Sequence, residues 1–329
     1  VTSPEPSRFT LDHRLPAGHF DRELRADARA GLTATPKVLP PKWFYDERGS
    51  ALFDEITRLP EYYLTRAERE ILHARAAGIA RLTGARSLAE LGSGTSEKTR
   101  VLLDALTAAG TLERYAPVDV SPAPLREAGA ALRTAYPALR ITATVADFEH
   151  DLTLPRDPAP VLVAFLGSTL GNLDTPRRAA FFTALRAALR PGDSLLLGAD
   201  LVKDPQTLIR AYDDSRGITA EFNRNVLHVL NEGLDADFQP DTFQHRAVWN
   251  PEEERMEMRL RSRTAQSVKL PAAGLTADFA EGEELLTEIS VKFRRDRLTA
   301  ELADGGFTLT EWWTDTAARY ALLLATPTP

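Results

Sequence analysis

Cysteine is absent from all 329 residues, which excludes disulfides and thiol nucleophiles and removes the commonest structural zinc ligand. The six histidines (His13, His19, His73, His150, His228 and His245) are scattered without an HExxH or comparable spacing, and no metal is expected. No apolar run reaches the ~18 residues needed to span a bilayer. The opening VTSPEPSRF lacks the charged-then-apolar signature of a signal peptide. These absences point to a cytoplasmic chain without a membrane partner, with residues 1–13 as a flexible tail. Dense basic runs are missing too. Forty basic against 47 acidic residues give a net charge of −7, which speaks against nucleic acid and is easier to reconcile with a small or cationic ligand. No internal repeat is visible.

What is present is the composition of an ordinary globular enzyme, with 43% hydrophobic and 26% charged residues. At roughly 150 residues per domain the length suggests about two domains. From Ser87 to Val202, short apolar runs alternate with helical spacings. Strands are predicted at 87–91, 115–120, 141–148, 161–166 and 194–202, and helices over 97–108, 124–135, 176–189 and 205–212. That regularity argues for an α/β fold with a parallel sheet covered on both faces. Two segments interrupt it. The stretch before Ala67 is rich in aromatics and proline, and Lys203 to about Lys292 contains a probable hairpin, 243–250 with 255–263. A helix near 295–303 and two apolar runs, 307–313 and 320–325, follow. Such a terminal strand pair, the last antiparallel, is how methyltransferase sheets end.

The sharpest local signal is AELGSGTSEKT, Ala89 to Thr99. A strand running into Gly-x-Gly and a helix allows close backbone approach to a ligand and offers amides to an anion. A dinucleotide site would want glycine where Glu97 stands, and that carboxylate would repel pyrophosphate. S-adenosylmethionine carries no phosphate, and its carboxylate suits the amides of this turn, with Gly92, and the ammonium of Lys98. Asp119, ending the second strand about 25 residues later, can accept from ribose hydroxyls. Asp147, ending the third, can accept from an adenine amino group while Phe148 covers the ring. Singly, each aspartate is more often a solvated strand end or helix cap. At successive carboxyl ends of one sheet they favour a ligand site.

The fourth strand leads into FLGSTLGN, which puts Asn172 beside the methyl donor. DPPY and NPPY are absent, which argues against a nucleobase or glutamine acceptor. LLTEISVKF (285–293) alternates with period two. Glu288, Ser290 and Lys292 share one face, and Ile289, Val291 and Phe293 share the other. By itself this is equally a half-exposed edge strand with a polar outer row. The aromatics of WFY (43–45) and of Tyr62-Tyr63 read first as core.

Taken together, PPKWFYDERGSALFDEITRLPEYYLTR, ELGSGTSEKT, FLGSTLGN, GADLVKD, RAYDD with FNRNVL, and GEELLTEISVKF closely resemble the histidine-specific methyltransferases that open ergothioneine biosynthesis, over about 24–324. The resemblance implies trimethylation of the α-amine of L-histidine to hercynine by S-adenosylmethionine. It implies a class I, Rossmann-like sheet, with a second, substrate-binding domain made by the N-terminal segment and an insertion after strand five. The expected boundaries are 67–202 plus 293–329 for the methyl-donor domain and 14–66 plus 203–292 for the substrate domain. It implies a cofactor set of Tyr45, Gly92, Lys98, Asp119, Asp147 and Phe148. The acceptor set is Tyr62, Asn172, Tyr212, Met258, Glu288 and Ser290. Asn172 and Tyr212 would hold the amino-acid end, Glu288 and Ser290 would read the imidazole, and Met258 would line the wall. A monomer is expected.

The chemistry expected is direct in-line transfer from sulfonium to a neutral amine, with no covalent enzyme intermediate. Water, or relay through Tyr62 or Asn172, would take the amine proton. Rival expectations are methylation of another amino acid or small amine, a nucleotide-dependent oxidoreductase, and a non-catalytic binding protein on the same fold.

Overall fold

The computed structural model of the chain describes residues 8–328. β1 (Phe9–His13) leads into α1 (His19–Thr33), the short β2 (Lys37–Val38), α2 (Glu47–Ile56) and α3 (Leu64–Thr83). Then come β3 (Ser87–Leu91), α4 (Arg100–Ala108), β4 (Arg114–Asp119), α5 (Pro122–Ala135), β5 (Arg140–Val145), β6 (Val161–Phe165), α6 (Thr175–Ala188) and β7 (Ser194–Asp200). Helices α7 (Pro205–Tyr212) and α8 (Ile218–Leu234) precede β8 (Phe243–Asn250), β9 (Arg255–Ser262), β10 (Gln266–Leu270), β11 (Leu275–Phe279) and β12 (Glu284–Val291). The chain closes through α9 (Arg295–Asp304), β13 (Phe307–Thr314) and β14 (Tyr320–Pro327).

The large sheet has the order β1-β5-β4-β3-β6-β7-β14-β13. Strands β3 to β7 run parallel, and β14 inserts antiparallel between β7 and β13. This is the class I methyltransferase sheet that the strand pattern anticipates. Every residue of β3, β6 and β7 is buried, as helices on both faces require. The chain leaves β3 toward β4 on one side, and β6 lies on the other. The crevice outside the carboxyl end of β3 is therefore the switch point where ligands collect in such sheets. Helices start where the sequence supplies caps: Asp46, Asp174 and Asp204 each accept a first-turn backbone N–H of α2, α6 and α7.

A second sheet, β2-β12-β9-β8, is assembled from distant pieces. The hairpin β8–β9 pairs antiparallel with β12, and Lys37–Val38 adds parallel at Leu285–Leu286. The FNRNVL motif holds this sheet in place from α8. Asn223 accepts from the Thr287 hydroxyl at 2.6 Å and donates to the Arg259 carbonyl at 3.1 Å. Asn225 donates to the Phe44 carbonyl and to Asp46, tying the WFY segment to the same helix.

The structure corrects the reading of residues 1–13 as a tail. Phe9–His13 pair in parallel register with Ile141–Val145 and extend the large sheet by one edge strand. The Phe9 ring occupies the space where a Cβ on Gly129 would stand, and Phe9 and Leu11 pack on Leu125, Ala143 and Val145. Residues 1–7 of that expectation lie outside the described residues. Two boundaries also move toward the site. β5 ends at Val145, leaving Asp147 and Phe148 in the following turn, and α4 begins at Arg100, leaving Lys98 in the glycine turn.

Candidate active site

On one side of the crevice three strand ends lie side by side. Gly92 donates to the Val118 carbonyl, and Ala146 to the Asp119 carbonyl, so the turns after β3, β4 and β5 are stitched together. Gly92 and Gly94 take φ of 66° and 49°, in the left-handed region that favours glycine. The Gly94 amide donates to one oxygen of Asp119 and the Ser121 amide to the other, both at 2.9 Å. Burial pushes the Asp119 carboxyl up while these amides oppose it. Each oxygen keeps a lone pair for further donors. Asp147 accepts from the Glu149 amide and pairs with His150 Nδ1, both at 2.9 Å. The Phe148 ring packs edge-on against Phe165, with centroids 5.2 Å apart.

Lys98 is less free than its place in the turn suggests. Its ammonium donates to Glu68 at 2.6 Å. Glu68 is buried on α3 and also accepts from the Gly167 amide and the Tyr320 hydroxyl, each at 2.7 Å. One carboxylate thus ties α3, the glycine turn, the turn after β6 and β14 together. The sequence reading missed it, because a lone Glu in a helix full of charges carries no distinguishing signal.

Across the crevice, the turn Thr169–Asn172 after β6 is pressed against β12. A Cβ on Gly171 would lie 2.7 Å from the Val291 carbonyl oxygen and 3.5 Å from Ser290 Oγ, so only glycine permits this approach. Asn172 is thereby set beside the strand that carries Glu288 and Ser290. A register shift between Leu286 and Glu288 places Glu288 opposite the buried Met258, and Ser290 opposite Met256. The polar row of β12 turns inward, with Glu288 half-buried. Ser290 is 3% exposed and Lys292 fully buried, so the outer-row alternative is set aside.

Behind this strand lies a buried ionic network. Lys292 Nζ donates to Tyr212 Oη at 2.7 Å and to Ser290 Oγ at 2.9 Å, and pairs with Asp200 at 3.0 Å. Tyr212 Oη donates to Ser290 Oγ at 2.8 Å. Asp200 also accepts from Lys203 at 2.7 Å and from the Tyr63 hydroxyl. Burial works against the Asp200 charge, yet Lys292 and Lys203 outweigh it and hold the carboxyl below its usual range. Burial pushes Lys203 down to about 8. Asp200, Lys203, Lys292 and Tyr63 were not read as site residues. Their signals were present, in GADLVKD and in the two-residue spacing of Lys292 from Ser290.

Of the polar side chains predicted from the sequence as site residues, Tyr45, Tyr62, Asn172 and Glu288 stand without a hydrogen-bond partner among the described residues. Burial, with Lys292 opposing, pushes the Glu288 carboxyl up to about 7. Burial also raises the Tyr62 phenol far above its ordinary value, with Tyr212, Tyr45 and Glu288 adding to it. The Tyr45 ring packs edge-on against Phe53 and Phe222 with 38% of the residue exposed, and desolvation raises its phenol, with Glu288, Tyr212 and Asp119 adding to it. The sequence-predicted residues therefore fall into two facing groups. Gly92, Lys98, Asp119, Asp147 and Phe148 cluster at the strand ends, and Tyr62, Asn172, Tyr212, Met258, Glu288 and Ser290 around β12. Among the described residues no helix is long and apolar enough to cross a membrane.

A family model described as histidine-specific methyltransferase, SAM-dependent, matches residues 24–327. The chain is 56% identical to a histidine N-alpha-methyltransferase from Mycolicibacterium smegmatis, over 96% of this chain and 99% of the relative. It is likewise 56% identical to a histidine N-alpha-methyltransferase from Mycobacterium tuberculosis, over 94% and 96%. Ergothioneine biosynthesis protein 1 of Neurospora crassa is 34% identical over 60% of this chain and 23% of its own length.

Proposed function

The chain belongs to the histidine-specific, S-adenosylmethionine-dependent methyltransferases, and we propose that it trimethylates the α-amine of L-histidine to hercynine, the first step of ergothioneine biosynthesis. The observation that carries this reading is the acceptor wall of β12. There an unpartnered carboxylate, Glu288, stands two residues from a buried hydroxyl, Ser290. A carboxylate acceptor and a hydroxyl on one wall match the two nitrogens of an imidazole. Tryptophan or phenylalanine would leave one or both unpaired, a penalty worth about 10⁴ in discrimination.

In this assignment Asp119 holds the ribose, Asp147 and Phe148 the adenine, and Gly92 and Lys98 the methionyl end. Tyr45 closes the donor side. S-adenosylmethionine, when bound, supplies a methyl on a sulfonium sulfur, so transfer is a single displacement in which N–C forms as C–S breaks. The protein's contribution is position, and alignment of the reacting atoms can supply about 7–11 kcal/mol of the barrier. Tyr212 and Asn172 orient the amino-acid end. Tyr62 stays protonated at working pH because burial raises its phenol, so it serves as a neutral hydrogen-bond partner and relay for the amine proton. Tyr62 and Asn172, free of protein partners, leave the nitrogen able to turn between successive transfers.

The reading extends to a monomer working in the cytoplasm on a small molecule, with no nucleic-acid partner, for which the net charge of −7 is the support. It also takes residues 67–202 with 293–329 as the methyl-donor domain and 14–66 with 203–292 as the substrate domain. The test is incubation of purified protein with S-adenosylmethionine and L-histidine, followed by mass spectrometry. Trimethylhistidine with three equivalents of S-adenosylhomocysteine is expected; unmodified histidine beside demonstrated cofactor binding would overturn the reading.

A further inference from the structure

Lys292 is completely enclosed, and its three N–H bonds are spent on Tyr212 Oη, Ser290 Oγ and Asp200. It cannot touch a substrate. Its consequence falls on Ser290, whose Oγ accepts from both Lys292 and Tyr212. A hydroxyl offers two acceptor sites and one donor. With both acceptor sites filled, Ser290 has only its O–H left to offer.

That directionality bears on the state of the imidazole. An imidazolium carries two N–H donors and needs an acceptor at each nitrogen, whereas a neutral ring has one donor and one acceptor. Glu288 is an acceptor when ionised and Ser290 is a donor, so the pair fits the neutral ring in one tautomer. The buried Lys292 ammonium, 2.9 Å from Ser290 Oγ, also disfavours a second cation in the same place. We propose that Lys292 is a positioning residue that fixes Ser290 as a donor and makes the site select the neutral imidazole. This inference rests on the histidine reading above.

The charged and titratable groups around this point are few. Asp200 and Lys203 lie behind it at the end of β7, Tyr63 before α3, Tyr212 at the end of α7, and Tyr45 and Tyr62 in front, with Glu288 on β12 itself. His245 on β8 contacts the Tyr212 carbonyl. On the other face of the strands, Glu257 is engaged by Arg255 and Arg259.

The trimethylated product isolates the effect, because its quaternary nitrogen does not titrate and the imidazole does. Its binding to the complex with S-adenosylhomocysteine should be measured by calorimetry between about pH 5.5 and 7.5, across the ordinary imidazole pKa of about 6.5. Wild-type affinity should fall by well over tenfold toward the acid end, because the imidazole must shed a proton and Glu288, pushed up to about 7, must stay ionised. In Lys292→Met the Ser290 acceptor site is freed, so the imidazole's share of the fall should vanish and leave a slope about tenfold shallower than wild type, that of Glu288 alone, with S-adenosylhomocysteine affinity unchanged. Lys292→Arg should keep the wild-type slope.

A variant profile superimposed on wild type would overturn the proposal, as would wild-type affinity rising toward acid. Should Lys292→Met fail to bind S-adenosylhomocysteine, nitrogen NMR of isotopically labelled product on the wild type at about pH 6 decides. One bare and one protonated ring nitrogen supports neutral selection, and two protonated nitrogens overturn it. If wild type leaves histidine unmethylated, the histidine reading itself fails, which is a different result from an unaltered pH slope.

Discussion

Glu288 is a half-buried carboxylate without a hydrogen-bond partner, and its desolvation pushes it up to about 7. A carboxyl raised on folding has its full stabilising balance below its ordinary value near 4.5 and loses it as the pH rises through the folded value. Glu288→Gln should therefore raise the Tm of the ligand-free protein at pH 8 and leave it unchanged near pH 4.5; calorimetry at the two pH values checks this. Glu288→Ala should raise the histidine KM by about 100-fold or more, since a buried ring N–H would lose its acceptor. S-adenosylmethionine affinity should be unchanged, and titration with each ligand separates the two effects. Glu288, Ser290 and Asn172 were singled out through resemblance and, for the first two, through the period-two face of 285–293. Lys292 sat on that same face, yet alternation cannot tell a buried polar row from a solvated one. Burial depends on the turn after β6, which is remote in sequence. Glu68 was illegible for the same reason: its partners Lys98, Gly167 and Tyr320 come from three separate segments.

At the scale of elements, the site depends on how closely the turn after β6 can approach β12. Gly171 is the contact point, with the Val291 carbonyl 2.7 Å from where a Cβ would stand. Gly171→Ala should push the turn away and destabilise the protein by about 1–3 kcal/mol. It should also lower kcat/KM for histidine more than it weakens S-adenosylmethionine; chemical denaturation and steady-state kinetics measure the two. The parallel strands and their helices were readable because each is a near-continuous apolar run or a 3.6-residue spacing, and α7 and β8 fall on their expected bounds. β1 was not, because five residues with two apolar positions carry too little pattern to distinguish an edge strand from a tail. The register shift in β12 was equally invisible, since an extra residue in a strand leaves the composition untouched.

Over the whole molecule, pieces far apart in sequence are needed to complete each half of the crevice. Lys37–Val38 closes the sheet that carries Glu288, while Phe9–His13 closes the opposite edge of the large sheet, away from β12. Deletion of residues 1–13 should therefore lower Tm by a few degrees, about 2–4 °C for each kcal/mol lost. The kinetics of histidine methylation at 25 °C should stay as they were. A matching loss of activity would place the N-terminal strand in the site after all. The five parallel strands and the antiparallel last strand were legible from the chain order of strands and helices. The joining of the N-terminal segment to the insertion was legible only through resemblance, because strand pairing over about 250 residues leaves no local trace.

The central claim is that this site takes histidine among amino acids, and one competition experiment tests it most directly. Purified protein, S-adenosylmethionine and an equal mixture of the twenty amino acids should yield trimethylated histidine, with the other amino acids left unmodified. Preferential methylation of another amino acid would contradict the account at Glu288 and Ser290 while leaving the fold and the methyl donor in place.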